Sequence, residues 1–409
     1  MGSKITYVRP VLLSSPYAHY KNAEVLIHLP QGYRTCSFVE ITLDNGITGL
    51  GEGYIGVFAP HVFEEIVKLI TPHLIGKEIM DTNLLYSQIC SITDYWSLQG
   101  AARHVISAFE IAFIDAKSKL LNIPAYDLFG GSKRNEIQVY GSGGDSIDAE
   151  YMEKEFEYLI DLGISIFKIR ARNYEAHKTV WCLKKGTQYG IRIAVDMAQN
   201  LANPGQTISD VIQYLETISQ YTNEKIFFLE EVFGCQDTAS YAIMRQKTNI
   251  PICGGETITT AFELSKRIEE KYYDFVQPDA TVIGGMGEVN SVFDTCKKFG
   301  VKAVVHCWGS AVCMMANYHI AFANGADLVE FPMPQFNIRQ DLMIKPLEIV
   351  HGKLQKPTAI GLGVQLTPEL EKKYAFREDA VYNCDRNTKA VYNDSWDSFL
   401  NEWKYVAEK

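Results

Sequence analysis

Eight short runs rich in β-branched and aromatic residues recur over the last two thirds of the chain, and stretches with helical spacing of apolar residues separate most of them. Strands that alternate with helices in this way predict a parallel sheet. Eight such strands favour a closed β/α barrel of the TIM type over an open sheet. The runs begin at Ile137, Ser165, Arg192, Ile226, Pro251, Phe275, Lys302 and Ala326.

A different pattern precedes the first run. Residues 38–54, FVEITLDNGITGLGEGY, alternate apolar and polar positions around Asp44-Asn45-Gly46, which predicts a β-hairpin. Residues 102–122 then carry apolar side chains at helical spacing. These patterns indicate a mixed α+β unit up to about Gly131. The irregular stretch after Gly361-Leu362-Gly363 is expected to pack back on this unit.

The composition excludes some partners and compartments. A net charge of −10 without a block of lysine and arginine argues against nucleic acid as a partner. Nine scattered cysteines without a CxxC pair, and no apolar signal peptide at the start, predict reduced thiols in a cytoplasmic protein. The nearly uncharged segment Ala303–Ala326 is interrupted by His306, Gly309, Asn317 and Gly325, so we expect a buried core segment rather than a membrane span.

Polar residues follow most of the eight runs, at the point where each predicted strand ends. Catalytic residues of a TIM barrel lie at the C-terminal ends of its strands, so we expect these side chains to meet at one face. In the second run, Lys168 and Arg170 are two positions apart and therefore share a side of the strand, which suits an anionic ligand. In chain order the polar residues are Lys168, Arg170, Asp196, Glu230, Glu231, Glu256, Asp279, His306 and Glu330.

Three carboxylates on three consecutive strands, Asp196, Glu230 and Glu256, suggest a metal site. Without a cation they would repel one another, and their pKa values would rise. Oxygen ligands of this kind suit Mg²⁺, which keeps open positions for water and substrate. The alternative is that the three carboxylates act separately, as helix caps or in salt bridges.

His306 and Asp279, at the ends of neighbouring strands, form a candidate catalytic pair. Asp279 would accept a hydrogen bond from one ring nitrogen of His306, which fixes the tautomer and raises the basicity of the other nitrogen. The alternative is that Asp279 caps the following helix and His306 packs in the core. Cys307 is a poor catalytic partner for His306, because neighbours along a strand point to opposite sides.

The ordered set of these segments resembles the enolase superfamily, and within it the mandelate racemase subgroup, over nearly the whole chain. ITLDNGITGLGEGY resembles the N-terminal hairpin of the family, and AFEIAFIDAKSKLLNIPAYDLFGG resembles its cap-to-barrel helix and turn. FKIR resembles the lysine motif of strand two, while AVDMAQN, FLEEV and GGET resemble the three metal-ligand strands. QPDATVIGGMGE and VVHCWGSA resemble the Asp/His pair, LVEF the glutamate strand, and IGLGVQL the segment that leaves the barrel.

The resemblance implies an α/β fold with three parts. A modified TIM barrel, (β/α)₇β, is expected over residues 132–360. An α+β capping domain is expected over residues 1–131, and a C-terminal segment, residues 361–409, is expected to complete the capping domain.

The same resemblance implies a small-molecule carboxylate substrate and one Mg²⁺ per subunit, with the three carboxylates named above as its ligands. Enolase-superfamily sites remove the proton α to the substrate carboxylate with a Lys or His base. His306 would be that base, oriented by Asp279. Lys168 and Glu330 would lie beside the substrate carboxylate, with Glu330 either protonated or accepting from the substrate.

Two departures from the family pattern bear on the reaction. The second lysine of the family's KxK motif is Arg170 in this chain, which stays protonated and is a poor general base, although its fork suits carboxylate or hydroxyl oxygens. Ala198 stands where the family often has a substrate-binding Asn. Racemisation needs two competent groups on opposite faces of the carbon, whereas dehydration can use His306 first as base and then as acid.

We therefore predict a lyase, an acid-sugar dehydratase that makes a 2-keto-3-deoxy acid, with a racemase or epimerase second and a cycloisomerase third. Alternatives of another class are a non-catalytic sugar-acid binder and a glycosidase using Glu230 and Glu231, although adjacent carboxylates on one strand diverge. Loops of the capping domain are expected to contact the substrate. The candidates are Tyr17, His19, Tyr20 and Tyr54. We also expect a homo-oligomer without nucleic-acid or membrane partners.

Overall fold

An antiparallel sheet packed on helices forms the N-terminal part of the computed structural model, which describes residues 3–18, 22–29, 31–202, 204–383 and 396–408. The strands, in the sheet order β1-β2-β3, are β1 (Ile5–Pro16), β2 (Tyr33–Leu43) and β3 (Thr48–Gly53). The helices are α1 (Ala23–His28), α2 (Pro60–Ile70), α3 (Thr82–Ser97) and α4 (Ala101–Leu121). The predicted turn joins β2 to β3, where Gly46 has a φ of 83° and Ile47 N–H donates to the Asn45 side chain.

The glycines of β3 allow this strand to pack directly on α4. A Cβ atom at Gly49, Gly51 or Gly53 would collide with backbone carbonyl groups of α4. These glycines alternate along the strand and therefore share one face. Glu52, which lies between them, projects from the opposite face and is buried against the barrel.

Eight parallel strands form the second part of the described chain, in the ladder order β11-β4-β5-β6-β7-β8-β9-β10. They are β4 (Glu136–Ser142), β5 (Ile166–Arg170), β6 (Arg192–Asp196), β7 (Leu229–Glu230), β8 (Ile252–Gly254), β9 (Phe275–Val276), β10 (Lys302–Ala303) and β11 (Leu328–Pro332). The helices between them are α5 (Ala149–Leu162), α6 (Ala176–Tyr189), α7 (Ile208–Tyr221), α8 (Thr238–Lys247), α9 (Ala261–Glu269), α10 (Met286–Phe299) and α11 (Ala311–Asn324). The predicted α/β fold, a modified (β/α)₇β barrel with an antiparallel cap, is confirmed.

A single layer of buried side chains fills the interior of the barrel, with one contribution from each of the eight strand segments. The layer consists of Tyr140, Ile166, Ala194, Phe228, Cys253, Phe275, Val304 and Leu328. Parallel strands of a closed barrel point alternate residues inward, and these layers make the interior a packed core rather than a pore. Any site must therefore lie above this layer, at the C-terminal ends of the strands.

The C-terminal part of the chain contacts both the cap and the barrel. Its elements are α12 (Ile338–Asp341), β12 (Ile349–Val350), β13 (Lys353–Gln355), α13 (Pro368–Lys373) and α14 (Trp396–Glu408). β13 pairs with β4 in antiparallel orientation. Beyond it, Ser14 N–H donates to the Tyr374 carbonyl at 2.8 Å, which attaches this segment to β1.

The last helix lies on the barrel. The rings of Trp403 in α14 and Trp181 in α6 pack 5.6 Å apart, and Lys184 Nζ donates to the Ala407 carbonyl at 2.7 Å. The expected C-terminal segment therefore does not contact the capping domain alone. The domain boundaries at residues 131 and 360 stay predictions.

The long uncharged segment noted in the sequence lies mainly in α11, whose fourteen side chains are all buried. This agrees with the expected core segment. Within the described part of the chain, no helix has both the length and the apolar surface needed to span a bilayer.

Candidate active site

The candidate site is the next inward-facing layer above the packed interior of the barrel. Residues two positions after the layer residues point to the same side, because strand side chains alternate. On seven of the eight strand segments that residue is polar. The seven residues are Ser142, Lys168, Asp196, Glu230, Gln277, His306 and Glu330. The predicted face therefore brings together side chains from strands that are far apart in sequence.

Lys168 lies between two carboxylates at the base of the site. Its Nζ donates to Glu230 Oε1 and lies 2.8 Å from Glu330 Oε1. Burial disfavours its charge, but the carboxylates of Glu230 and Glu330 outweigh burial and raise the pKa of Lys168 well above its usual value. Lys168 is therefore an ammonium ion, suited to bind an anion rather than to remove a proton.

Of the two states expected for Glu330, protonated or accepting, the structure favours the ionised carboxylate, which can only accept. Burial alone would raise its pKa, but Lys168 and His306 together with the Cys307 N–H lower it to about 2. That N–H donates to Glu330 Oε2 at 2.7 Å. A carboxylate that accepts such bonds keeps its charge even when fully buried.

Two of the predicted metal ligands, Asp196 and Glu230, end β6 and β7, and the third, Glu256, lies two residues after β8. Each has a polar partner. Asp196 Oδ2 is 3.4 Å from Arg170 Nε, and Glu256 Oε1 accepts from Asn200 Nδ2 at 2.6 Å. Glu230 Oε2 accepts from Gln277 Nε2 at 2.5 Å. Among the described residues, no group of three or more His, Cys, Asp or Glu side chains is arranged so that it could hold a metal ion as it stands.

The donor set nevertheless fits a divalent cation in its chemistry. Burial, and then the charges of Asp196, Glu330 and Glu256, raise the pKa of Glu230 to about 8 despite the nearby ammonium of Lys168. One lysine thus fails to balance the carboxylates around it. A hard cation bound by oxygen atoms would supply the missing positive charge.

Glu231, the neighbour of Glu230, faces away from this group. Its Oε1 accepts from Gly255 N–H at 2.8 Å, and burial raises its pKa well above the usual value. The two glutamates therefore diverge, as expected for adjacent strand residues. This geometry does not support a glycosidase with the two carboxylates flanking one bond.

His306 and Asp279 form the predicted pair. Nδ1 of His306 is 2.8 Å from Asp279 Oδ2, while its Nε2 is 3.4 Å from Glu256 Oε2. Burial lowers the pKa of His306, but Glu256, Glu330 and Asp279 raise it to about 10. The Asp279 carboxylate can only accept a hydrogen bond, so Nδ1 of His306 carries a proton. The Nε2 atom faces Glu256 and the cavity.

Asp279 is fixed by donors on three sides. Its Oδ1 accepts from Thr281 N–H and Oγ1, both at 2.8 Å, and from Asn317 Nδ2 at 2.9 Å. Burial alone would raise its pKa, but the bond from His306 and these donors lower it. Asp279 thus accepts from its own turn and orients the imidazole. It does not cap the following helix, because α10 begins at Met286 with Gly285 as its N-cap.

Arg170 lies on the face of an aromatic ring, next to the predicted metal ligand Asp196. Its guanidinium carbon is 4.2 Å from the Trp308 ring centroid, and Nη1 is 3.5 Å from Glu24 Oε2. The adjacent carboxylates keep it charged despite burial and raise its pKa well above the usual range. It is therefore a binding group and not a base.

The capping domain holds the loop that carries His306. Glu52 of β3 accepts from Ser310 N–H and Oγ and from Cys313 N–H, at the first turn of α11. Arg34 of β2 donates to the Trp308 carbonyl. The cap thus fixes both ends of residues 308–313, directly after the candidate base.

The predicted contacts from the capping loops divide into three cases. Tyr54 lines the cavity, where its ring lies 6.1 Å from that of His306 and its hydroxyl accepts from Arg34 at 3.0 Å. Tyr17 does not line the cavity: it is buried beneath it and donates to Glu24 Oε2 at 2.8 Å. His19 and Tyr20 lie outside the described residues.

The cavity has a volume of about 230 Å³ and includes residues that the sequence analysis missed. Asn200, in the quoted AVDMAQN segment, lies two positions beyond the Ala198 noted as a departure and lines the cavity with it. The other missed lining residues include Glu24, His28, Phe58, Asp145, Trp308 and Tyr382. Tyr382 comes from the C-terminal segment, which no strand-end pattern could have indicated.

Two loops that follow metal-ligand strands contain backbone in the left-handed region. Ala198 has a φ of 50° and Glu231 a φ of 42°. Neither residue is glycine, so each conformation costs on the order of 1 kcal/mol or more. Bonds from Met197 N–H to the Glu230 carbonyl and from Gln199 N–H to the Glu231 carbonyl hold the two loops together. Such strain commonly occurs at functional sites.

Comparison with known proteins identifies the family. Residues 151–370 match the family model described as "Enolase C-terminal domain-like", and residues 30–130 match "Mandelate racemase / muconate lactonizing enzyme, N-terminal domain". The chain belongs to the mandelate racemase/muconate lactonizing enzyme family of the enolase superfamily. The predicted family is thereby confirmed.

Relatives in the mandelate racemase/muconate lactonizing enzyme family support the predicted enzyme class. Arabinonate dehydratase of Saccharolobus solfataricus is 24% identical and covers 82% of this chain and 89% of its own length. D-xylonate dehydratase of Haloferax volcanii is 26% identical, and the match covers 84% of this chain and 86% of the relative. The solved structure of 3,6-anhydro-D-galactonate cycloisomerase from Zobellia galactanivorans is 25% identical, with a TM-score of 0.79. That match covers 91% of this chain and 100% of the other chain. The prediction of a lyase, with an isomerase as alternative, agrees with these names.

Proposed function

We propose that this enzyme dehydrates a sugar acid to a 2-keto-3-deoxy acid. The observation that carries the proposal is the presence of one well-oriented imidazole beside two cations that are unsuited to act as bases. His306 is held by Asp279, whereas Lys168 and Arg170 keep their charges through ion pairs with carboxylates. A racemase would need a second competent base.

In this reaction His306, Lys168 and Asp279 have separate roles. Neutral His306, a strong base because Glu256, Glu330 and Asp279 raise its pKa to about 10 despite burial, removes the proton from the carbon next to the substrate carboxylate through Nε2. The imidazolium then gives that proton to the departing β-hydroxyl group. The C–O bond breaks and water leaves. The resulting enol becomes the keto acid. Lys168 binds the substrate carboxylate, and Asp279 stabilises the imidazolium.

Asp196, Glu230 and Glu256 are the side chains that would hold one Mg²⁺ per subunit. Bound there, the ion would supply positive charge to the substrate carboxylate when its α-proton leaves. The raised pKa of Glu230, which burial and the neighbouring carboxylates cause, supports this assignment because a cation among these groups would relieve it. Arg170 and Tyr54 lie where they would bind oxygen atoms of the substrate.

A cycloisomerase is the second candidate, because the cycloisomerase of Zobellia galactanivorans has a similar fold over 91% of this chain. The two reactions differ in mass balance, since dehydration loses one water and isomerisation loses none. The experiment incubates the enzyme and Mg²⁺ with a library of mono- and dicarboxylic sugar acids in D₂O.

A keto acid 18 mass units lighter than the substrate, before label is counted, supports the dehydratase. A product of unchanged mass apart from label supports an isomerase. A non-catalytic binder would give neither product nor label at the α-carbon.

A further inference from the structure

The part of the cavity next to the cap differs in charge from the part next to His306. Arg170 lies between them, with its Nε 3.4 Å from Asp196 and its Nη1 3.5 Å from Glu24. On the cap side, the group of charged and titratable lining residues, which we call the cap-side group, consists of Glu24, His28, Asp145, Arg170 and Arg172. We infer that the cap-side group binds uncharged hydroxyl groups, so that the enzyme selects sugar acids with one carboxylate over those with two. This inference rests on the proposed function.

The cations of the cap-side group are already paired. Arg172 Nη1 donates to Asp145 Oδ1 at 2.6 Å and lies 3.4 Å from Glu175 Oε2. Arg170 faces Glu24 on one side and Asp196 on the other. Within the described lining of the cavity, neither arginine lacks a carboxylate partner, so none is left to balance a second carboxylate of the substrate.

His28 does not supply a positive charge either. Its Nδ1 is 2.8 Å from the Asn383 carbonyl, which can only accept, so this nitrogen carries a proton. Its ring stacks on Tyr382 with centroids 4.4 Å apart. Burial lowers the pKa of His28, which favours the neutral ring. The imidazole is therefore a polar but uncharged part of the wall.

Two atoms of the group are buried without a hydrogen-bond partner in the described part of the chain. Arg170 Nη1 is a donor, and Asp145 Oδ2 is an acceptor. Glu24 adds further acceptor capacity, because among the described residues the only hydrogen bond to its side chain goes from Tyr17 to Oε2. A hydroxyl group both donates and accepts and can satisfy such a mixed set, whereas a carboxylate only accepts and would be repelled by Glu24 and Asp145.

The test compares six-carbon sugar acids that differ only at the far end of the chain, where one carries a primary alcohol and the other a carboxylate. For the full-length enzyme with Mg²⁺, we expect kcat/KM for the monoacid to exceed that for the matched diacid by at least about 10-fold. Isothermal titration calorimetry of the His306→Asn variant with the same pairs measures the preference independently of turnover. Equal or tighter binding of the diacids would overturn the inference.

Glu24→Gln keeps the shape of the side chain and removes its charge. We expect this variant to reduce the preference for the monoacid about 10-fold, by improving binding of the diacid. Tyr17→Phe is the matched control, because it removes the bond to Glu24 but leaves the charge, and we expect it to keep the preference. An unchanged ratio in Glu24→Gln with a normal thermal unfolding midpoint would contradict the assigned role.

The failure of the proposed function would be distinguishable from failure of this inference. If no sugar acid is dehydrated but the monoacids still bind more tightly than the diacids, the reaction is wrong and the selectivity stands. If both acids are dehydrated with equal efficiency, the reaction stands and the selectivity is wrong.

Discussion

The ends of the barrel strands and the elements of the cap line the same cavity, but their side chains are positioned in different ways. At the strand ends, position follows from register: Arg170 pairs with Asp196, and Asp196 pairs with Glu230, across neighbouring strands. On the cap side, position follows from contacts between distant segments. His28 bonds to Asn383, 355 residues away in sequence.

From this difference we infer that the residues at the strand ends carry out the reaction and that the residues on the cap side select the substrate. A strand end that is fixed by a ladder of backbone bonds gives the rigid placement that proton transfer requires. Apart from Arg170, which belongs to β5, the cap-side residues lie outside the strands, so their side chains can change without disturbing the ladder. Variants at the strand ends should therefore affect turnover most, and variants on the cap side should affect the choice of substrate.

His306→Asn should produce the largest effect. Asparagine lacks the basic nitrogen, so we expect kcat for keto-acid formation to fall about 10³-fold, while folding and Mg²⁺ binding persist. The measurements are turnover, incorporation of solvent deuterium at the α-carbon and the thermal unfolding midpoint.

The matched control is His61→Asn, because His61 is an exposed histidine on α2, away from the cavity. It should leave turnover unchanged. Near-normal turnover in His306→Asn would transfer the base role to another residue and reopen the racemase interpretation.

Glu230→Gln, compared with Glu231→Gln, tests whether the strand ends hold the metal. The two residues are adjacent, but Lys168 donates to Glu230, whereas Glu231 accepts from Gly255 N–H. We expect the first variant to weaken Mg²⁺ binding about 10²-fold, and the second to change it little. Isothermal titration with Mg²⁺ gives the affinities. Equal losses in both variants would show that general disruption of β7, and not loss of a ligand, explains the effect.

Sequence reasoning worked for the barrel because period-two alternation and the order of the strands suffice to place its side chains. Once a run such as Arg192–Asp196 is recognised as a strand, its last inward residue must lie at the C-terminal face. Lys168 and His306 follow by the same rule, whereas on the β9 segment the rule selects Gln277, two positions before Asp279. The charge state of Glu330 could not be predicted in this way, because it depends on Lys168 and the Cys307 N–H at distances that only the fold sets.

The cap side could not be predicted to the same extent, since its residues lie in loops without a repeating pattern. Tyr17 and Tyr54 have the same residue type and similar loop contexts, yet only Tyr54 lines the cavity. Glu24 had a local signal, because Asn22 caps α1 and places Glu24 in its first turn. Tyr382 had none, since its position depends on a bond from its N–H to the Val57 carbonyl.

Glu52→Gln tests the hydrogen bonds that join β3 of the cap to the start of α11 in the barrel. Glu52 accepts from Ser310 and Cys313 at the start of α11, and the amide would turn a donor toward these donors. We expect the free energy of unfolding to fall by about 2 kcal/mol, and kcat to fall several-fold because the loop after His306 loosens.

Chemical denaturation and steady-state kinetics measure the two effects. Glu65→Gln is the control, because Glu65 is an exposed glutamate on α2, and its replacement should change stability by less than about 0.5 kcal/mol. A stable Glu52→Gln variant with normal kcat would mean that the barrel holds the loop without help from the cap.

Tyr54→Phe should have the smallest effect and tests the comparison where the two regions meet. The tyrosine belongs to the cap, yet its ring lies 6.1 Å from that of the candidate base. Loss of one hydroxyl that accepts from Arg34 should raise KM about 5-fold with little change in kcat, because the ring keeps its packing. Tyr7→Phe, at an exposed position on β1, should leave both constants unchanged. A drop in kcat without a change in KM would instead assign Tyr54 to the reacting end of the cavity. The cap would then contribute to the reaction as well as to the choice of substrate.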